Sequence, residues 1–258
     1  MSAGMWVRSS LAYRASFAML VLGNLTVTTM DFAVIVIMFQ HTGRLGGWDL
    51  PQVAFLYGTS GFAIGTADLL VGSIDRLGER IRLGTLDTML VRPAPALAQM
   101  AADRFGLRRL GRPLQATAIL AWSLTAVQVH WTWDRVLLVP VLLISGTAIF
   151  VALFVGGASF QFWAADAAEA QNAFTYGGAT MLQYPPAVFG RDLLAGAVFG
   201  VPLAFVNWLP ALHILGRPDP LGLPEAFRFA SPVAAALALA VAGLAWRTGL
   251  RTYRSTGS

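Results

Sequence analysis

The sequence is organised by apolar runs of about 20 residues, which are separated by short segments rich in Arg, Gly and Pro. A helix of about 20 apolar residues crosses the hydrocarbon core of a bilayer, which is about 30 Å thick. Only 12% of the 258 residues are charged, whereas about 25% is typical of soluble domains. The chain is therefore predicted to be an all-α protein that crosses a membrane several times.

Six crossings are predicted from these runs and from the residues that interrupt them. Five follow from the runs alone, at about residues 17–40, 53–75, 112–129, 135–162 and 231–249. The sixth lies between residues 163 and 230, where two interpretations are open. Residues 193–215 are the more apolar stretch, but they contain Pro202 and Pro210, which would break a spanning helix in two places. Residues 168–189 are less apolar but long enough to cross, at about 33 Å.

Arginine bias orients these predicted crossings. All 18 basic residues are Arg; two precede the first crossing, eight lie from Arg76 to Arg112, and three lie at or beyond the end of the last crossing. Four others lie on the opposite side, at positions 44, 135, 217 and 228, and Arg191 is ambiguous. Because short cytoplasmic loops carry the excess of basic residues, the 76–112 segment and both termini are predicted to be cytoplasmic.

Missing residue types exclude several chemistries. Without Lys there is no P-loop and no Schiff-base lysine. Without Cys there are no disulfides, thiolate nucleophiles or thiolate metal sites. The three His residues are scattered on predicted outer segments, so no catalytic residue and no metal site is predicted.

The segment RLGTLDTMLVRPAP, residues 82–95, differs from the apolar runs on either side of it. Gly84 interrupts the preceding helix, and Thr85 is predicted to be the N-cap of a new one. Asp87 lies in its first turn and Arg92 at its end, which suits the helix dipole. Pro93 then stops the helix. A short helix over residues 85–92 is predicted.

One side of this short helix is predicted to be apolar. Leu83, Leu86 and Leu90 are spaced three and four residues apart, so they are predicted to form a single stripe. A helix of about two turns is not stable alone and needs a surface to pack against. Two interpretations are open: the helix lies on lipid headgroups, or it fits a socket on a cytoplasmic partner.

Two carboxylates lie within predicted crossings. Asp31 is midway along the first and Asp68 is towards the cytoplasmic part of the second. An intramembrane carboxylate is costly, which makes both residues candidates for a substrate pathway. The alternative is that each carboxylate bonds a neighbouring helix and fixes packing. Gly61 and Gly65 are predicted to permit close helix packing.

The string GxLDxxLxRP at residues 84–93 resembles the cytoplasmic-loop signature of ABC-2-type transporter permeases, in the bacterial six-span subfamily whose genes often come in pairs. The strings GGWDLPQVAFLYG (46–58), QYPPAVF (183–189) and WRTGLRTY (246–253) agree with it in order. The resemblance implies a single transmembrane domain over residues 1–258, of the ABC-2 (type V) exporter type. It also implies an N-terminal interface helix, a cytoplasmic coupling helix at 85–92, a fifth span at 168–189 and an outer re-entrant hairpin at 191–215.

The resemblance further implies where a separate ATPase would act. The coupling residues would be Gly84, Thr85, Leu86, Asp87, Leu90, Arg92 and Pro93. The interface helix would use Met5, Trp6, Leu11, Tyr13 and Phe17 with Arg8 and Arg14. These residue types suit the headgroup zone.

The function implied by the resemblance is that of a permease subunit in a bacterial plasma membrane. The resemblance implies export, and the few charges in the predicted spans suit a hydrophobic or amphipathic small molecule or lipid as the cargo. The partners of the permease would be two copies of an ABC ATPase and a second permease, the same or paralogous, with membrane lipid around them and no nucleic acid. ATP and Mg²⁺ would bind the ATPase, so no cofactor is expected in this chain. A secondary transporter or membrane-embedded enzyme that acts without an ATPase is the alternative, although no inverted repeat is evident.

Overall fold

The computed structural model describes residues 14–103, 107–164 and 168–253, and most of the predicted N-terminal interface helix lies outside these residues. Within them the regular secondary structure is helical, with one isolated bridge between Leu45 and Trp48. The predicted all-α class is therefore confirmed.

The described residues form twelve α-helices, numbered here in chain order. They are α1 Arg14–Thr42, α2 Leu50–Val71, α3 Leu77–Arg82, α4 Thr85–Leu90, α5 Ala96–Asp103, α6 Gly111–Ala126, α7 Trp133–Phe160, α8 Ala168–Asn172, α9 Gly178–Met181, α10 Arg191–Ala195, α11 Trp208–Ile214 and α12 Ser231–Thr252. A π-helical turn, Ala173–Gly177, joins α8 to α9, and a second, Gly196–Gly200, extends α10.

Three helical segments of the described chain are long and apolar enough to cross a membrane. They are Leu50–Arg82, Trp133–Phe160 and Ser231–Thr252. A bent pair, Arg191–Gly200 with Pro202–Ile214, would make a fourth if it forms one span. These segments confirm a membrane protein, and six crossings remain a prediction.

The 163–230 region differs in detail from both sequence interpretations. In the predicted span at 168–189 the continuous helix ends at Met181, and a short 3-10 helix follows at Pro186–Val188, because Pro185 and Pro186 supply no backbone N–H to continue the first helix. The 191–215 segment bends by 78° at the break before Pro202. Pro210 causes no break, since it lies in the first turn of α11, where backbone N–H groups need no intrahelical partner. The prediction of two breaks was therefore wrong at Pro210.

Glycines on α2 allow α6 to approach closely. A Cβ on Gly61 would lie 3.0 Å from the Cβ of Ala116, and one on Gly65 would lie 2.8 Å from Cδ of Pro113. The first distance is tighter than most real Cβ contacts, and the second is shorter than real Cβ contacts show. The predicted close packing at Gly61 and Gly65 is confirmed.

The start of α2 carries a capping box, and one of its residues also bonds a distant loop. Asp49 accepts a hydrogen bond from the Gln52 N–H at 3.0 Å, and Gln52 Oε1 accepts one from the Asp49 N–H at 3.3 Å. The same Gln52 oxygen also accepts from Nε of Arg217 at 3.1 Å. The Arg217 guanidinium lies 5.6 Å from the ring centre of Trp48. One side chain therefore joins the start of α2 to the loop after α11.

Candidate functional site

The short helix predicted at 85–92 is present as α4, and it ends at Leu90. It begins after Gly84, whose left-handed backbone (φ 65°) turns the chain away from α3. Gly84, not Thr85, is the N-cap, and it offers no side-chain cap. The Thr85 hydroxyl instead donates to the Arg80 carbonyl at 3.3 Å. The predicted N-cap was wrong because the left-handed glycine already provides the turn.

The apolar side chains near α4 face two directions. Leu86 is completely buried and Met89 is 7% exposed, whereas Leu83 is 67% exposed and Leu90 is 42% exposed. The prediction of one stripe through Leu83, Leu86 and Leu90 was therefore wrong. Helical spacing does not extend across Gly84, so Leu83 does not share a face with Leu86.

The buried side of α4 belongs to the same hydrophobic cluster as two long helices. Leu86 and Met89 share this cluster with residues of the 72–100 segment, of α7 and of α12: Ile74, Leu77, Ala96, Met100, Ala152, Val155, Ala158, Ala242 and Trp246. Nε2 of Gln99 donates to the carbonyls of Met89 and Ala94, at 2.8 Å each. This closes the turn that follows α4. The helix therefore shares one buried cluster with α7 and α12, which pack on each other and are called here the α7–α12 pair.

Asp87 is engaged within the chain. Its Oδ1 accepts a hydrogen bond from the Tyr253 hydroxyl at 3.0 Å, and Tyr253 directly follows α12. Burial of the hydroxyl, together with the Asp87 carboxylate, raises the pKa of Tyr253 above its usual value. The phenol therefore keeps its proton at neutral pH and remains a donor. This bond ties the first turn of α4 to the end of α12.

An apolar edge remains on the outside of the segment. It consists of Leu83, Leu90 and Val91, the last of which is 86% exposed, and it is called here the exposed edge. Arg92 and Pro93 continue it beyond the end of α4 and are also exposed. An exposed apolar surface of this kind is typical of contact with a protein or with a membrane, so both interpretations of the helix stay open.

Asp68 and Asp31 differ in their surroundings. An oxygen of Asp68 lies 3.6 Å from Nη1 of Arg109 and accepts a bond from the Tyr176 hydroxyl at 3.2 Å. This geometry favours the packing interpretation for Asp68. Asp31 lies on an exposed side of α1, and its assignment to a pathway remains a prediction.

A buried amide network near Asp68 was missed in the sequence. Gln161 Oε1 accepts from the Gly78 N–H at 2.6 Å, and Gln161 Nε2 donates to Gln171 Oε1 at 3.0 Å. Gln171 in turn donates to the Asp75 carboxylate. The network connects the base of α3 with α8 and with the residue that follows α7. Polar residues at the ends of apolar runs were the available signal, but nothing in the sequence paired them.

These features define a class: an all-helical membrane protein whose short, half-buried helix is fixed to two long helices and exposes an apolar edge. Comparison of the sequence with models of known protein families identifies the family. A family model described as "ABC-2 family transporter protein" matches residues 25–257. The chain belongs to this family, as the sequence resemblance implied. Searches of curated proteins and of solved structures found no significant match.

Proposed function

We propose that the chain is the permease subunit of an ATP-driven exporter, and that its ATPase subunit docks on the exposed edge. The observation that carries this proposal is the two-sided environment of α4. One side is buried in the cluster with α7 and α12, and the other presents Leu83, Leu90 and Val91. A helix of six residues with such an edge is suited to bind a partner and to transmit the movement of that partner to the buried cluster.

The contacts of α4 also indicate which helices would move. Closure of the ATPase would push on α4, and the force would reach α7 and α12 through Leu86, Met89 and the Asp87–Tyr253 bond. Of the seven coupling residues expected from the resemblance, Thr85, Leu90, Arg92 and Pro93 are exposed and so accessible to a partner. Leu86 would transmit the movement from within the chain, because it is buried.

The complete transporter would contain two permeases and two ATPases. The second permease would be the same chain or a paralogue, and ATP and Mg²⁺ would bind the ATPases. The cargo would be a hydrophobic or amphipathic molecule or lipid, since the spans carry few charges. Arginine bias supports a cytoplasmic position for α4 and for both termini. The transporter would lie in a bacterial plasma membrane.

The exposed edge is tested with one substitution at two places. Val91→Asp adds a charge to the edge, whereas Val188→Asp makes the same change at a second exposed site, beside Gly46 in the loop before α2. An ABC ATPase from the same genome would be coexpressed with each variant, and its copurification measured. Val91→Asp is expected to weaken binding by about 2 kcal/mol, with unchanged permease expression, and Val188→Asp is expected to bind normally. Equal binding by both variants would contradict the proposed docking site.

A further inference from the structure

A groove runs along the α7–α12 pair on a side that α4 does not cover. Its volume is about 930 Å³, within the range of small-molecule sites. One wall is α7 from Ala152 to Phe160 and another is α12 from Val233 to Ala245. The third side is formed by Phe174 and by residues 198–202 at the bend. Both long walls are helices that qualify as membrane spans.

Small side chains leave this space open. Ala234, Ala238 and Ala245 lie four and seven residues apart and so share one face of α12. Across from them Gly156 has no side chain, and a Cβ placed there would lie 3.7 Å from Ala242. Among the residues that line the groove, Gln171 carries the one side-chain amide, and its bonds to Gln161 and Asp75 use it inside the protein. The groove therefore suits an apolar occupant.

The length of the groove matches one leaflet of a bilayer. From Val233 to Ala245 a helix rises about 18 Å, and half of a hydrocarbon core of about 30 Å is about 15 Å. Because its walls are membrane-spanning segments, the molecules that reach the groove are those of the bilayer. An extended acyl chain has the matching length and chemistry.

The chemistry at one end of the groove indicates the headgroup. Trp163 lines the groove there and is 51% exposed. On α12, Arg247 and Arg251 follow Ala245 within two turns, and both are exposed. Trp and Arg are favoured at the headgroup level, and basic side chains there attract anionic lipids.

We propose that this groove binds an acyl chain of an anionic bilayer phospholipid, with the headgroup at the level of Trp163 and Arg251. The bound chain would contact Ala152 and Ala242, which line the groove and also belong to the buried cluster around Leu86. The lipid site and the α4 site therefore share the α7–α12 pair. This assignment needs the chain to be embedded in a membrane but does not need an ATPase.

The test uses the full-length permease alone in lipid nanodiscs. The probe is phosphatidylglycerol with a photoactivatable diazirine in one acyl chain, and crosslinked peptides are mapped by mass spectrometry. We expect labelling to concentrate in residues 152–164 and 233–245. Labelling by a phosphatidylcholine probe with the same chain is expected to be weaker.

Groove-filling variants supply the control. Ala238→Phe and Ala234→Phe each place a ring in the groove and are expected to reduce the labelling about ten-fold. Ala240→Phe, at an exposed position of α12 that does not line the groove, is expected to leave it unchanged. Melting temperatures near that of the parent would show that the variants fold.

Three results would overturn the assignment. Labelling spread evenly over all lipid-facing helices would show that no groove site exists. If Ala238→Phe and Ala234→Phe both fold and are labelled as strongly as the parent, the lipid binds elsewhere. A disulfide-linked dimer formed in membranes by Ala238→Cys, in a chain that has no native Cys, would show that a second copy covers the groove. Since no ATPase is present, these results are independent of the proposed docking on the exposed edge.

Discussion

The helices α4 and α11 are similar in length but differ in how completely the chain covers them. They have six and seven residues, so neither would be stable in isolation. Six of the seven residues of α11 are buried, whereas α4 buries only Leu86 and Met89. The comparison indicates that α11 is covered by its own chain and that α4 retains an exposed surface, on which we propose that the ATPase docks.

The polar anchors of the two helices differ in the same way. Asn207, directly before α11, is fully buried and donates to the carbonyls of Leu56 at 3.1 Å and Leu182 at 3.0 Å. The anchor of α4 is the Asp87–Tyr253 bond, near the surface at the end of α12. Asn207 holds three segments in a fixed arrangement, while the Asp87 bond connects α4 to one helix end.

The largest effect is expected from labelling, because accessibility from a given side of the membrane is nearly all-or-none. Thr88→Cys on α4 should react with an impermeant maleimide only from the cytoplasmic side. Glu225→Cys, in the loop after α11, should react only from the outside. Thr88 and Glu225 are both exposed and the native chain has no Cys. Labelling of Thr88→Cys from outside would remove the basis for ATPase docking at α4.

The same assay decides how the bent pair crosses the membrane. Arg191→Cys, at the start of α10, should be labelled from outside if the pair enters and leaves by one face. It should be labelled from inside if residues 191–214 cross completely. Outside labelling is expected, because the 78° bend turns the second half nearly perpendicular to the first, so the pair does not continue straight across the membrane.

Next in size is the contrast between two leucines of α4. Leu86→Ala empties a fully buried site and should lower the free energy of unfolding by about 2–5 kcal/mol. Leu90→Ala, at an exposed position, should change it by less than about 0.5 kcal/mol and should weaken ATPase binding instead. Thermal unfolding, monitored by Trp fluorescence, distinguishes the effects of the two substitutions on stability. Similar melting temperatures for the two variants would show that Leu86 is not buried as described.

A smaller loss is expected at the anchor of α11. Asn207→Ala leaves two buried carbonyls without this donor and should cost about 1–3 kcal/mol. ATPase binding should persist in the folded fraction, because α4 is unchanged. Thr180→Ala, at an exposed position of α9, is the control and should melt like the parent. Loss of ATPase binding by a folded Asn207→Ala protein would contradict the separation of the two regions.

The smallest effect is expected at the link between α4 and α12. Tyr253→Phe removes one hydrogen bond and should cost about 0.5–1.5 kcal/mol of stability. We expect the ATPase to bind but its hydrolysis to respond less to cargo, because α4 is then less tightly joined to α12. ATP hydrolysis measured with and without cargo checks this. A normal response would limit transmission to the cluster around Leu86.

Local features of the chain were predictable from the sequence. The end of α4 before Pro93 and the close packing at Gly61 and Gly65 depend on residue type and spacing, which are visible in one chain. The string at residues 84–93 was sufficient to indicate the family. A bend in the 191–215 segment followed from Pro202.

Long-range partners were not predictable. Tyr253 is 166 positions from Asp87, and Arg109 is 41 from Asp68, so neither pair leaves a periodic signal. The inward direction of Leu86 depends on where α7 and α12 end in space. The groove arises where Gly156 meets small residues of α12, which is visible only after the helices are packed.

The Gln52–Arg217 bond has a consequence for biogenesis. Gln52 emerges from the ribosome 165 residues before Arg217, which at typical synthesis rates is about 8–33 s earlier. During that interval the start of α2 has its local cap but lacks the guanidinium that joins it to the far loop. We expect nascent chains stalled before residue 217 to expose Trp48 to protease, and chains stalled well beyond it to be protected. Equal cleavage of the two would show that this corner of the protein forms without Arg217.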